Sequence, residues 1–270
     1  MENLLKRALY GGLYVAILIF GILYSKLTFI LLFLIIMNIA LHEFNKMIRL
    51  QSVFPYILGN LLFVFGNVLN FDNTAKEFSV YAGTALFLGF FATFISILFQ
   101  KKEEAVAELG KKFLSVVYIS LPFTLIVMIP SLNTKFEFIN TTILGVFILV
   151  WVNDTFAYLV GSNFGLHKLF YSVSPNKTWE GFLGGMLFTF IGAYVLAHFF
   201  DKLSLVNWLV FALIVSTFGV LGDLIESMFK RQAGLKDSSN LIPGHGGMLD
   251  RMDSMIFSAP FIFIYLLIIN

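Results

Sequence analysis

Long apolar runs alternate with short polar connections along the whole chain. A helix that crosses a bilayer needs about 20 mostly apolar residues, and nine segments approach or meet that length: 8–24, 27–42, 53–70, 78–100, 113–130, 142–162, 181–200, 204–226 and 254–269. The second and the last are short and draw in flanking residues. Polar stretches such as "QKKEEAVAELGKK" (100–112) and "SLNTKFEFIN" (131–140) separate them. No internal repeat recurs, which counts against the repeat-built transporter folds. The pattern predicts an all-α polytopic bundle of nine membrane spans. Five fall in an N-terminal region, 1–130, and four in a C-terminal region, 131–270, with polar loops at 163–180 and 227–253.

Charge placement orients the bundle. The N-terminus and the connections after spans two, four, six and eight carry 14 of the 18 Lys and Arg residues; Lys26, Lys76, Lys135 and Lys202 are the other 4. By the positive-inside rule the N-terminus and both polar loops are cytoplasmic and the C-terminus is external. Composition agrees with a membrane solvent. Residues are 59% hydrophobic and 13% charged, mean hydropathy is +0.88, and 33 are phenylalanine. A soluble domain is about one quarter charged. No cysteine is present, which excludes disulfides, thiolate metal sites and cysteine nucleophiles. The first apolar segment runs on into a second with no small-residue cleavage site, so no signal peptide is expected. The short N-terminus without a transit segment points to a bacterial inner membrane.

Three polar clusters lie close to membrane depth. In "VWVNDTFAYLVGS" (150–162), Asn153 and Asp154 sit inside the sixth span. A carboxylate there costs several kcal/mol unless paired, protonated or metal-bound, so it marks function, the alternative being a structural bond to a neighbouring helix. In "YSVSPNKTWEGFLGG" (171–185), Ser174 and Pro175 suit a turn entering a helix, with Lys177 and Glu180 near its start. A helix N-terminus with Ser, Thr and Lys nearby can hold phosphate; an N-cap with a surface ion pair explains the same residues. The third cluster is the richest. "GDLIESMFKR" sets Asp223, Glu226 and Lys230 on one helical face, and "LDRMD" sets Asp250 and Asp253 at the mouth of the last span. Between them, "PGHGG" (Pro243 to Gly247) permits a turn closed to most residues, which brings amide groups or His245 to a ligand.

Carboxylates gathered without a cation repel one another. With Mg²⁺ they become ligands alongside substrate phosphate oxygens, and Lys and Arg supply the complementary charge for polyphosphate. Acids for metal and bases for phosphate at a membrane surface suggest phosphoryl or nucleotidyl transfer to a lipid. Singly, Lys230 and Arg231 also read as positive-inside anchors, and Asp237-Ser238 as a turn.

From Ser227 to Asp253 the chain resembles the signature of the phosphatidate cytidylyltransferases, also called CDP-diacylglycerol synthases. The matching positions are Ser227, Lys230, Arg231, Lys236, Asp237, His245, Gly246, Gly247, Asp250, Arg251 and Asp253. Similarity extends to Asn153, Asp154, Ala157, Tyr158 and Gly161, and to "SPNKTWEG" from Ser174 to Gly181. Together these cover roughly the C-terminal half; the first five spans match only in being apolar.

The resemblance implies Mg²⁺-dependent reaction of CTP with phosphatidic acid, giving CDP-diacylglycerol and pyrophosphate, with a second metal or a monovalent ion also compatible. It implies Asp223 and Asp250 as metal ligands, with Asp253 and Asp154 as further acids. Lys230, Arg231, Lys236 and Arg251 would hold phosphates, with Asp237 orienting Lys236 or a water, and His245 on phosphate or supporting its turn. Gly244, Gly246 and Gly247 would let the backbone approach phosphate, and Ser174, Lys177, Thr178 and Glu180 belong to a second, phosphate-facing wall. Membrane lipid is an expected partner, nucleic acid is not, and a homodimer is compatible. Glycines in "YGGLY" (10–14) and "GFLGG" (181–185) permit close helix contacts within or between protomers. A transporter would spread its acids along the spans toward both faces, and a CTP-spending polyprenol or dolichol kinase would release CDP. A purely structural membrane protein leaves the 227–253 stretch unexplained.

Overall fold

The computed structural model describes residues 2–68, 105–132 and 138–269. It is a helical bundle. The helices are α1 (Glu2–Tyr24), α2 (Lys26–Met47), α3 (Phe54–Val68), α4 (Ala105–Ser131), α5 (Asn140–Phe164), α6 (Trp179–Phe199), α7 (Leu205–Gln232) and α8 (Leu249–Ile269). Six of them, α2 and α4 to α8, are long and apolar enough to cross a membrane; Leu9–Tyr24 and Phe54–Asn67 are shorter apolar helices. The protein is therefore an integral membrane protein. The predicted segment 78–100 lies outside the described residues.

Local chemistry sets the breaks. Ser25 separates α1 from α2 with a capping box: its hydroxyl accepts from the Thr28 amide (3.1 Å), and its own amide donates to the Thr28 hydroxyl (3.0 Å). Thr178 and Ser204 cap α6 and α7 by the side chain alone, their hydroxyls accepting from the amides of Gly181 and Asn207. Both α4 and α7 contain a π-turn, at Val116–Ser120 and Val215–Gly219. Such turns commonly mark functional segments.

Two boundaries differ from the hydropathy pattern. The helix α7 continues six residues past 226, ending where Gly234 (φ 72) turns the chain and the Leu235 amide returns to the Lys230 carbonyl (2.8 Å). At the other end α8 begins at Leu249, so the connecting loop is 233–248 and Asp250 and Asp253 are helical. The 163–180 connection also holds structure that hydropathy does not carry: strands β1 (Lys168–Phe170) and β2 (Ser174–Thr178) form an antiparallel hairpin. Residues 105–112 of the polar stretch 100–112 are the first turns of α4, stitched by a Glu108–Lys112 pair at 3.2 Å.

Lipid is as apolar as leucine, so helices associate by packing and by polar bonds between them. Aromatic rings fill the centre: Phe33 packs against Phe29, Phe123 and Phe147, with centroids 4.7, 6.3 and 5.9 Å apart. Asn38 and Asn60 join α2 to α3 by reciprocal amide bonds of 2.9 Å. On the outer face of α6, Leu183, Leu187, Ile191 and Tyr194 are exposed at helical spacing, as lipid contact requires. The "GFLGG" glycines are spent within the chain, since a Cβ at Gly181 would meet the Ala157 carbonyl of α5 at 2.7 Å. The α7–α8 crossing depends in the same way on Gly222, where a Cβ would lie 2.6 Å from the Asp253 carbonyl and from Phe257 Cβ. That contact sets Asp223 beside Asp253.

Candidate active site

A cavity of about 650 Å³ opens between α5, the hairpin, and the facing ends of α6, α7 and α8. Of the residues singled out from sequence, Asn153, Asp154, Lys177, Thr178, Asp223, Asp250, Arg251 and Asp253 line it. Helix α5 presents Asp154 to the opening, while the neighbouring Asn153 is buried (2% exposed) and takes the Thr189 hydroxyl at 3.4 Å. Lys177 leans from β2 across the cavity to Asp223, with Nζ 2.6 Å from Oδ2.

The acids fall into two groups. Asp223, Glu226 and Asp253 each offer a carboxylate oxygen within 4.8 Å of the others. Glu226 is fully buried, and among the described residues its Oε1 accepts no hydrogen bond. Three converging carboxylates with one unsatisfied oxygen fit a divalent cation by donor chemistry and by charge. Asp250 is engaged elsewhere. Its Oδ1 takes Lys230 Nζ (2.6 Å), and its Oδ2 takes the Ser238 amide and hydroxyl (both 2.8 Å) and the Gly247 amide (2.7 Å). Of the two metal ligands expected from sequence, Asp223 thus sits in the triad, and Asp250 holds the loop behind it. Lys230 lies beneath the floor and bridges Glu226 (2.5 Å) and Asp250.

The other predicted residues do not line the cavity. Arg231 is exposed and donates to the Leu235 carbonyl at 2.9 Å, and Lys236 and Asp237 are exposed on the loop. Ser174 opens β2 and is half-buried. Glu180, in the first turn of α6, takes the Leu166 amide (3.1 Å), the His167 amide (3.2 Å) and His167 Nδ1 (2.5 Å), closing the base of the hairpin. Gly244 and Gly246 have positive φ (77 and 84) in a turn closed by Ile242 and Gly246. His245 faces α1, where a Cβ on Gly11 would stand 3.0 Å from its Nε2.

Sequence reasoning missed Lys168 and Asn176, which the hairpin brings to the cavity, and did not assign Glu226 to the metal set. The signal for Glu226 was present, since it shares a helical face with Asp223. Asn176 lies within the singled-out "SPNKTWEG" stretch but was given no role there, and Lys168 gives no signal before the hairpin is known.

The cytidylyltransferase family model matches residues 5–269. A phosphatidate cytidylyltransferase of Bacillus subtilis (strain 168) is 34% identical over 279 residues, covering 98% of this chain and 98% of the relative. Relatives of the same name match about half of each chain more closely. That of Staphylococcus saprophyticus is 48% identical over 126 residues (46% of this chain, 48% of the relative). That of Haemophilus influenzae is 46% identical over 124 residues (44% and 43%). A match running nearly end to end, with a relative aligned over the same span, settles the membership: the chain belongs to the cytidylyltransferase family, among the phosphatidate cytidylyltransferases.

Proposed function

We propose that this chain transfers the cytidylyl group of CTP to phosphatidic acid, giving CDP-diacylglycerol and pyrophosphate, in a Mg²⁺-dependent reaction at the cytoplasmic face of a bacterial inner membrane. The observation that carries this reading is a cavity between apolar helices that gathers the carboxylates of Asp223, Asp250 and Asp253 with Lys168, Lys177 and Arg251 in its lining. Tyr158 and Phe182 give it an apolar side suited to a lipid. The nine-span topology with a cytoplasmic N-terminus, and the division into regions 1–130 and 131–270, belong to this proposal. The spans rest on the apolar runs, their orientation on the charge asymmetry of the connections, and the division on where the resembling motifs fall.

The chemistry asks for little beyond charge and position. A phosphatidate phosphate oxygen attacks the α-phosphorus of CTP; a new P–O bond forms there, and the bond from that phosphorus to the bridging β-oxygen breaks, its electron pair leaving with pyrophosphate. The nucleophile is already largely ionised near neutral pH, since a second phosphate pKa lies near 6. No strong base is needed, and the barrier is the approach of two polyanions. Lys177, held toward the cavity by Asp223, and Arg251 are assigned to phosphate oxygens, with Lys168 and Asn176 beside them. Asp223, Glu226 and Asp253 would hold Mg²⁺, which when bound supplies charge neutralisation at the phosphates. Lys230 acts beneath them by fixing Glu226 and Asp250. Arg231, Lys236 and Asp237 are assigned to the outer rim.

The test uses purified protein in detergent with phosphatidic acid, Mg²⁺ and CTP labelled at the α-phosphate, followed by lipid extraction. Label in the lipid phase, pyrophosphate released and loss of transfer in EDTA are expected. Label remaining in water as CDP while a γ-label enters lipid would establish a kinase, and no transfer of either label would return the transporter reading.

A further inference from the structure

The carboxylate of Glu43 lies in α2, in the half of the chain that the signature residues do not reach. It is 4% exposed, and no ion pair of Glu43 occurs among the described residues. Its partners come from the loop between α7 and α8. Oε1 accepts the Ser239 hydroxyl (2.5 Å) and the Met248 amide (3.0 Å); Oε2 accepts the Leu249 amide (2.7 Å) and the Ser238 hydroxyl (3.1 Å). Backbone N–H groups only donate, so both oxygens must accept.

Met248 and Leu249 stand at the N-terminus of α8, where the first amides have no partner within the helix. Glu43 therefore caps α8 from another helix, and its negative charge meets the positive end of the α8 dipole. Asp250 takes the amide just before them, that of Gly247. Ser238 ties the two acids together: its single hydroxyl proton lies between Glu43 Oε2 and Asp250 Oδ2, at 3.1 and 2.8 Å. The packing leaves no slack. A Cβ on Gly247 would fall 2.6 and 2.7 Å from the two Glu43 oxygens and would overlap the Ser238 hydroxyl.

We infer that Glu43 is a positioning residue for cytidylyl transfer: by capping α8 and gripping the 238–249 loop, it sets where Asp250, Arg251 and Asp253 meet the cavity. Among the described residues none of its hydrogen-bond partners lines the cavity, and it acts through the loop and Asp250. The inference rests on the reaction proposed above. It gives the N-terminal half a part in the site beyond forming a membrane bundle.

Glu43→Gln keeps shape and one acceptor oxygen but sets an NH₂ group against a backbone amide, donor facing donor. Loss of a residue that orients a site costs roughly 10- to 100-fold in activity. The expected result is a fall of that size in kcat per folded protein, with KM for CTP within about threefold of wild type. Amide hydrogen exchange across 238–249 should quicken in the same variant, a readout independent of turnover. Two results would overturn the inference: kcat within about twofold of wild type, or lost activity fully explained by lost folded protein, with normal turnover in what remains. Failure of the reaction reading looks different, since wild type would then transfer no label.

Discussion

Replacing Lys230 with methionine removes the cation that bridges Glu226 and Asp250 while keeping a long, unbranched side chain. Lys230 is 10% exposed at the side chain, between Glu226 (0%) and Asp250 (5%), at 2.5 and 2.6 Å. The loss falls unevenly. Asp250 keeps three other donors, the Ser238 amide and hydroxyl and the Gly247 amide. Among the described residues Glu226 keeps none, because Oε1 accepts no hydrogen bond and Oε2 has only the lysine. Stranding a buried charge costs about 3–5 kcal/mol. At this chain length 1 kcal/mol moves Tm by about 2–4 °C, so Lys230→Met should lower Tm by roughly 6–20 °C. Thermal unfolding in detergent without added divalent ion measures this directly. The double variant Glu226→Gln/Lys230→Met removes both charges and should recover most of the loss, because removing a pair whole is far cheaper than breaking it. A single variant that melts within about 2 °C of wild type would refute the ionic strut, for the shift would then match a surface substitution.

The same reasoning gives two further tests. Asp223→Asn should abolish label transfer while the protein still inserts and folds, since the residue is part-exposed and its loss frees Lys177 without burying a charge; an active, Mg²⁺-dependent Asn variant would remove Asp223 from the ligand set. Gly222→Val should separate α7 from α8, because even a Cβ reaches the Asp253 carbonyl at 2.6 Å, and overpacking of this kind costs about 1–3 kcal/mol. Turnover and Tm measured together should both fall, and an unchanged turnover would mean that the Asp223–Asp253 spacing is not set there.

The helices were legible because a bilayer leaves the backbone few options: contiguous apolar residues must close their own hydrogen bonds. The acids of α7 were legible as a face, since the i, i+3, i+7 spacing of Asp223, Glu226 and Lys230 survives in any straight helix. Which acid pairs with the lysine and which is left for a cation was not, because that depends on how close α8 comes, and Gly222 sets that distance without announcing a partner. The hairpin escaped for a different reason. Strands of three and five residues, one of them "SPNKT", are too short and too polar to alternate visibly. Glu43 escaped because "LHEFNKM" reads as the polar end of a span, while its four donors lie 195 to 206 positions away.

The density of specified residues between 227 and 253 therefore has two causes. Facing the cavity takes only Asp250, Arg251 and Asp253 from this stretch. Several others hold them there: Lys230 of α7 grips Asp250 at the start of α8, Ser238 and Ser239 tie the loop to α2, and His245 seats the turn against Gly11 of α1. A loop joining two apolar helices has no core of its own to fix it, and at a membrane surface water competes for every amide it exposes. The charged side chains of Glu43 from α2, Lys230 from α7 and Asp250 from α8, with the loop's own Ser238 and Ser239, do what a hydrophobic core does elsewhere. The polar chemistry of the stretch is thus needed even where it never meets a substrate, and substitutions at His245 and at Arg251 should separate the two roles, the first acting through loop order and the second through phosphate binding.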